Sequence, residues 1–143
     1  MVTILADSES EWGALRWYVD SPAWQSRFSQ VHPYEDMGLG KSLQALVSVS
    51  LAHDDVSGDN LAQSLIVCPS TLVRHWQSEV GKFFSSSLIF NVLCLTGSRE
   101  NRLATWKARA HDVNLVVTSY SVMRSDIEYL QHEQWCCTIL DEG

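Results

Sequence analysis

The sequence predicts an α/β fold, a mainly parallel sheet covered by helices on both faces. Three observations predict it. Short apolar runs alternate with amphipathic stretches, joined by short links, along most of the 143 residues. That alternation is how a parallel sheet is built from crossover connections. Glu35-Asp36-Met37-Gly38-Leu39-Gly40-Lys41-Ser42 reads as a phosphate-binding loop ahead of a helix. Thr138-Ile139-Leu140-Asp141-Glu142 is an apolar, β-branched run that stops in two carboxylates.

Met1 to Asp7 is a short strand candidate. Ser8 to Gln30 carries Trp12, Trp17, Tyr18, Trp24 and Phe28 among charges and serines. Trp12, Leu15 and Val19 share a helical face, and Ser21-Pro22 can start a second short helix. Pro33 cannot donate to a ladder, so residues 31–34 make a poor central strand. Lys41 to about Ala52 reads as a helix with Leu43, Leu46, Val47 and Leu51 on its apolar face. Residues 53–63 are polar and read as a surface loop.

Ser64 to Cys68 runs apolar without alternation, as a strand buried on both faces does. Ser70 or Thr71 can cap the next helix, which extends to about Phe84 with a stripe of Leu72, Trp76, Val80, Phe83 and Phe84. Leu88 to Leu95 is a third strand, followed by a basic helix bearing Arg99, Arg102, Lys107 and Arg109 on a solvated face. Leu115 to Thr118 is a strand, and Ser119 to about Gln131 a helix with Val122, Ile127 and Leu130 inward. Thr138 to Asp141 is the last strand. Ligands of such folds bind beyond the carboxyl ends of the strands. The loop and Asp141-Glu142 are both expected at that edge.

A chain of this length supports one domain. Its net charge of −7 argues against a free-standing DNA binder, which is usually basic. Cys68, Cys94, Cys136 and Cys137 lack Cys-x-x-Cys spacing and sit in or beside apolar runs. They read as reduced, buried thiols of a cytosolic or nuclear protein. The apolar runs are too short to span a membrane, and residues 1–30 lack the shape of a signal peptide.

The chemistry follows from the two motifs. Glycines let the backbone approach a polyphosphate, so that successive N–H groups and the next helix N-terminus point at the anion. Lys41 would reach the terminal phosphates and Ser42 would ligate Mg²⁺. The full pattern wants a glycine where Glu35 stands. Asp141 would hold Mg²⁺, mostly through water, and Glu142 would orient or deprotonate the attacking water.

Asp36-Met37-Gly38-Leu39-Gly40-Lys41-Ser42, Val67-Cys68-Pro69-Ser70-Thr71-Leu72 with His75-Trp76, Thr118-Ser119-Tyr120 and Leu140-Asp141-Glu142-Gly143 occur in that order. This set resembles the first RecA-like lobe of the SWI/SNF-type helicase-like ATPases, superfamily two DNA translocases. Residues 75–83 and 119–127 resemble the subfamily that acts on the TATA-binding protein. The resemblance implies a P-loop, three-layer αβα lobe, incomplete at its C-terminus, in an ATP-driven motor that tracks along duplex DNA in the nucleus. ATP and Mg²⁺ are its implied cofactors, and duplex DNA and the TATA-binding protein its implied partners. Gly38, Leu39, Gly40, Lys41 and Ser42 would take the nucleotide, and Ser42 and Asp141 the metal. Glu142 would be the catalytic residue. Ser70, Thr71, Thr118 and Ser119 would touch DNA, where hydroxyls can contact phosphate without reading sequence.

Two departures divide the chain at residue 34. In the family the first strand runs directly into the loop, whereas Ile4-Leu5-Ala6-Asp7 stands far upstream. Residues 1–34 are then an atypical segment, a strand followed by either a gene-model artefact such as retained intron or a real insertion. Residues 35–143 are a partial ATP-binding lobe. The family pattern continues past Gly143 into further strands and a second lobe carrying arginine fingers, which contribute ~10³–10⁵ in rate. The chain by itself is therefore expected to turn over ATP poorly. The alternatives are an inactive lobe acting as a binding module, and a small P-loop kinase.

Overall fold

The computed structural model describes residues 2–5, 41–54, 62–84 and 90–141. Its elements are β1 (Val2–Leu5), α1 (Lys41–Asp54), β2 (Gln63–Cys68), α2 (Val73–Phe83), β3 (Val92–Leu95), α3 (Arg99–Arg109), β4 (Leu115–Ser119), α4 (Tyr120–Ser125), α5 (Ile127–Leu130) and β5 (Trp135–Asp141). A 3-10 turn, Ser70–Leu72, leads into α2. The aromatic-rich stretch 8–34, the loop glycines, the boundary at residue 34 and Glu142 lie outside the described residues.

The strands form one five-stranded sheet in the order β1-β5-β2-β4-β3. β2 pairs parallel with β4 and with β5, and β3 pairs parallel with β4. The α/β expectation of a doubly covered, mainly parallel sheet holds. β1 departs from it in one respect. It runs antiparallel to β5, with Val2 opposite Asp141 and Leu5 opposite Thr138. The segment that by resemblance should feed the loop therefore points away from the edge where Asp141 ends.

Alternation along the strands feeds two cores. Ile66, Cys68, Leu115, Val117, Cys137 and Ile139 face α1 and α2. Leu65, Val67, Leu93, Leu95, Val116 and Leu140 face the α3–α5 layer, together with Trp106, Met123 and Trp135. Burying β-branched and aromatic side chains on both faces drives assembly, at roughly 25 cal/mol per Å² of apolar surface. Among the described residues the cysteines are all free thiols. Burial pushes Cys137 up, and burial with the nearby Asp141 charge pushes Cys68 up to about 12, so both stay protonated packing groups.

Several helical faces differ from the pattern expected. On α1 the inward residues are Ala45, Leu46 and Val49, while Val47 is 42% exposed. On α2, Val73 is buried and Phe83 is exposed. The expected helix from residue 119 to 131 is two helices. It breaks at Asp126, whose carboxylate turns inward to accept from Arg102 Nε at 2.6 Å and Nη2 at 2.8 Å. Arg102, expected on a solvated face, is buried in this ion pair. Its Nη1 also donates to the Gly97 carbonyl at 2.5 Å, and Tyr129 Oη donates to Asp126 Oδ2 at 2.5 Å. Burial alone would push the Asp126 carboxyl up, but the donors Arg102, Tyr129 and Ser125 outweigh it and hold the group below its ordinary value.

Two contacts pin the end of α1. Its His53 Nε2 shares a hydrogen bond with Ser64 Oγ of β2 at 2.8 Å. Cys136 Sγ of β5 donates to the Ala52 carbonyl at 3.3 Å. Burial lowers the His53 pKa from 6.5, with Asp54 opposing weakly. The unfolded chain then takes the proton first, so the stability that His53 contributes is present above pH 6.5 and is lost as the pH falls through the lowered value. Thermal melts between about pH 7 and pH 5 should show a falling Tm that flattens in His53→Gln. Arg102→Met strands a buried carboxylate and should cost about 3–5 kcal/mol in urea unfolding. Arg102→Met with Asp126→Leu should recover much of that.

Candidate functional site

The parallel registers bring the carboxyl ends of the strands to one edge. Cys68 lies opposite Ser119, Val67 opposite Leu140, and Leu95 opposite Thr118. Asp141 therefore stands beside Cys68 at the end of β5. The side-chain alternation of Cys137 and Ile139 toward α1 and α2 carries over to Asp141. Its Oδ2 accepts from Trp76 Nε1 of α2 at 2.9 Å.

Helix geometry brings the start of α1 to the same edge. Its last turn is tied to the starts of β2 and β5. From Ala52 back to Lys41 the helix rises ~16 Å, at about 1.5 Å per residue. From Cys136 to Asp141 the strand rises ~16 Å, at about 3.3 Å per residue. Helix and strand are matched in length and tied at one end, and Ala45, Leu46 and Val49 pack along the sheet, so the start of α1 lies toward the edge where Asp141 ends. The helix N-terminus carries the positive end of its dipole, and anions gather there. Ser42 is half-buried in the same turn. A serine hydroxyl and a carboxylate at one edge are hard oxygen donors of the type Mg²⁺ takes.

The strand-end hydroxyls separate into two kinds. Ser70 and Thr71 are exposed in the 3-10 turn after β2, and neither that turn nor α2 has a side-chain cap. Helix capping, the competing explanation for them, is thus overturned: Pro69 and Leu72 occupy the cap positions. Thr118 and Ser119 are buried. Ser119 Oγ accepts from Val122 N at 3.2 Å and caps α4. Thr118 is 0% exposed, and its hydroxyl has no hydrogen-bond partner among the described residues. Arg99 and Arg109 bond to Glu128 and Asn91, and Arg102 is buried, so α3 offers no open basic stripe through them.

Sequence reasoning missed the two side chains that grip Asp141. Trp76 is 1% exposed, and the sequence assigns it to the apolar stripe and the family motif without an acceptor. Tyr120 Oη, from the opposite helical layer, donates to the Asp141 backbone carbonyl at 3.2 Å. The signal available was position, since each follows closely on a hydroxylated strand end.

The SNF2-related domain matches residues 34–143. The chain is 43% identical over 113 residues to TATA-binding protein-associated factor BTAF1 of Arabidopsis thaliana, a match over 76% of this chain and 5% of that protein. It is 39% identical over 119 residues to TATA-binding protein-associated factor 172 of Homo sapiens, over 76% of this chain and 6% of that one. The chain thus spans about one-twentieth of these relatives. Among solved structures it is similar to the Sulfolobus solfataricus SWI2/SNF2 ATPase core in complex with double-stranded DNA, with a TM-score of 0.50 and 28% identity, over 65% of this chain and 17% of that one.

An orphaned buried hydroxyl costs free energy that an apolar group of like shape does not. Thr118→Val should therefore stabilise the chain by ~1 kcal/mol in urea unfolding. A loss of stability would show that the hydroxyl has a partner.

Proposed function

This chain belongs to the SNF2-related family, and from that premise we propose that it is the ATP-binding part of a DNA-dependent ATPase that moves along duplex DNA. The observation that supports this reading is the shared edge, toward which α1 begins and where Asp141 faces the α1 and α2 layer. In this reading the backbone of Gly38, Leu39 and Gly40 and the Lys41 ammonium receive the phosphates. Ser42 and Asp141 hold Mg²⁺, which supplies charge neutralisation across the phosphates. Glu142 orients the attacking water. Ser70 and Thr71, exposed after β2, make the DNA contact, and the segment at Thr118 and Ser119 lies on the second DNA-facing stretch.

Relatives named as TATA-binding protein-associated factors suggest the target. The motor of which this lobe is a part removes the TATA-binding protein from DNA in the nucleus. Arginine fingers on a second lobe would supply most of the rate.

Binding of a labelled ATP analogue with Mg²⁺, measured by fluorescence anisotropy on this chain, tests the nucleotide role. Lys41→Ala should weaken it by about 10- to 100-fold, matching a charge-assisted contact of ~1.5–3 kcal/mol. ATP turnover raised by duplex DNA and lost in Lys41→Ala supports the motor. Phosphoryl transfer to a small acceptor without DNA would replace it with a kinase, and absence of nucleotide binding with a binding module.

A further inference from the structure

Asp141 is held from both helical layers at once. Trp76 Nε1 of α2 donates to its carboxylate at 2.9 Å, and Tyr120 Oη of α4 donates to its carbonyl at 3.2 Å. The two donors share a second property. Trp76 lies in the first turns of α2, just after the exposed Ser70-Thr71 turn, and Tyr120 is the residue after Ser119. The segments that follow the parallel strands β2 and β4 thus both lead, through a helix start, to the same residue.

The choice of acceptor is informative. A buried indole needs only some acceptor, and Trp135 takes the ordinary one, the Leu130 carbonyl at 3.0 Å. Trp76 is 1% exposed and bonds a carboxylate that is itself 9% exposed. Sinking a charge is costly unless donors receive it. An indole fixed by core packing can donate along one direction only. It therefore selects one carboxylate rotamer, and any shift of α2 moves that rotamer.

We propose that Trp76 and Tyr120 are positioning residues that set the Asp141 carboxylate for Mg²⁺ and make its placement respond to DNA held at the Ser70-Thr71 turn and the start of α4. This rests on the nucleotide reading given above. Trp76 acts on the side chain and Tyr120 on the backbone of the strand end. Neither touches nucleotide or metal. Partners that orient a metal ligand typically contribute ~10–100-fold to metal affinity.

The test is a Mg²⁺ titration of this chain with a labelled, slowly hydrolysed ATP analogue, followed by anisotropy, with and without duplex DNA. In the unmutated chain, DNA should lower the Mg²⁺ concentration at half-saturation. Trp76→Phe keeps a buried ring and removes the N–H. It should raise half-saturation about tenfold and abolish the DNA response, while analogue affinity in EDTA stays unchanged. A purely structural Trp76 would lower Tm and weaken analogue binding alike with and without metal, and that result would overturn the proposal. Tyr120→Phe loses only a half-buried hydroxyl and should shift half-saturation in the same direction. If Trp76→Phe does not melt cooperatively, Tyr120→Phe decides: a titration and DNA response equal to the unmutated chain refute the coupling. Absence of Mg²⁺-dependent analogue binding in the unmutated chain would instead refute the nucleotide reading, and this one with it.

Discussion

The pinning of the last turn of α1 to the first residues of β2 and β5 is the constraint on which the site depends. A helix in a packed layer can slide along a sheet, because apolar contacts are non-directional. The hydrogen bonds His53–Ser64 and Cys136–Ala52 remove that freedom at one end. The packing of Ala45, Leu46 and Val49 on the sheet holds the rest of the helix along it. Together these contacts set how far along the sheet the start of α1 reaches. The edge where the parallel strands end is in this sense positioned from the far side of the sheet.

The two cores give that arrangement its stiffness. Each central strand supplies both, residue by residue, so β2, β4 and β5 cannot shift register by one without exchanging the contents of the cores. The α3–α5 layer adds a polar lock. Arg102, Asp126 and Tyr129 form a closed set of hydrogen bonds under α4, and Trp106 stacks near Tyr129 with ring centroids 5.3 Å apart. This set costs a helix its continuity, since Asp126 interrupts what would otherwise be one element. In exchange α4 begins at a defined place, with Ser119 as its cap and Tyr120 aimed at the end of β5.

The sheet and its order of elements were largely legible in the sequence, because unalternating runs such as Leu65-Ile66-Val67-Cys68 have few other uses. Helical faces were less legible. Reading by side-chain size put Val47 and Phe83 inward and passed over Ala45 and Val73, yet close packing against a sheet favours the smaller residues. The break at Asp126 could not be read, because its partner Arg102 lies 24 positions away in a helix that looked fully solvated. The direction of β1 was equally hidden: Val2-Thr3-Ile4-Leu5 fits either orientation, and pairing with β5 decides it. The place of Asp141 at the end of β5 was legible from strand and charge together. Its two donors were not, since an indole and a phenol announce packing before they announce an acceptor.

The order β1-β5-β2-β4-β3 sets a sequence of events during synthesis. On the ribosome, β2, β3 and β4 can pair among themselves before β5, made after them, enters beside β2. Until it does, the open flank of β2 offers unpaired amides and carbonyls to any passing strand. β1 precedes these strands in the chain, yet the strand it pairs with, β5, follows them all. The flank of β2 and the ladder of β1 are therefore both completed by the same late-made stretch, Trp135–Asp141.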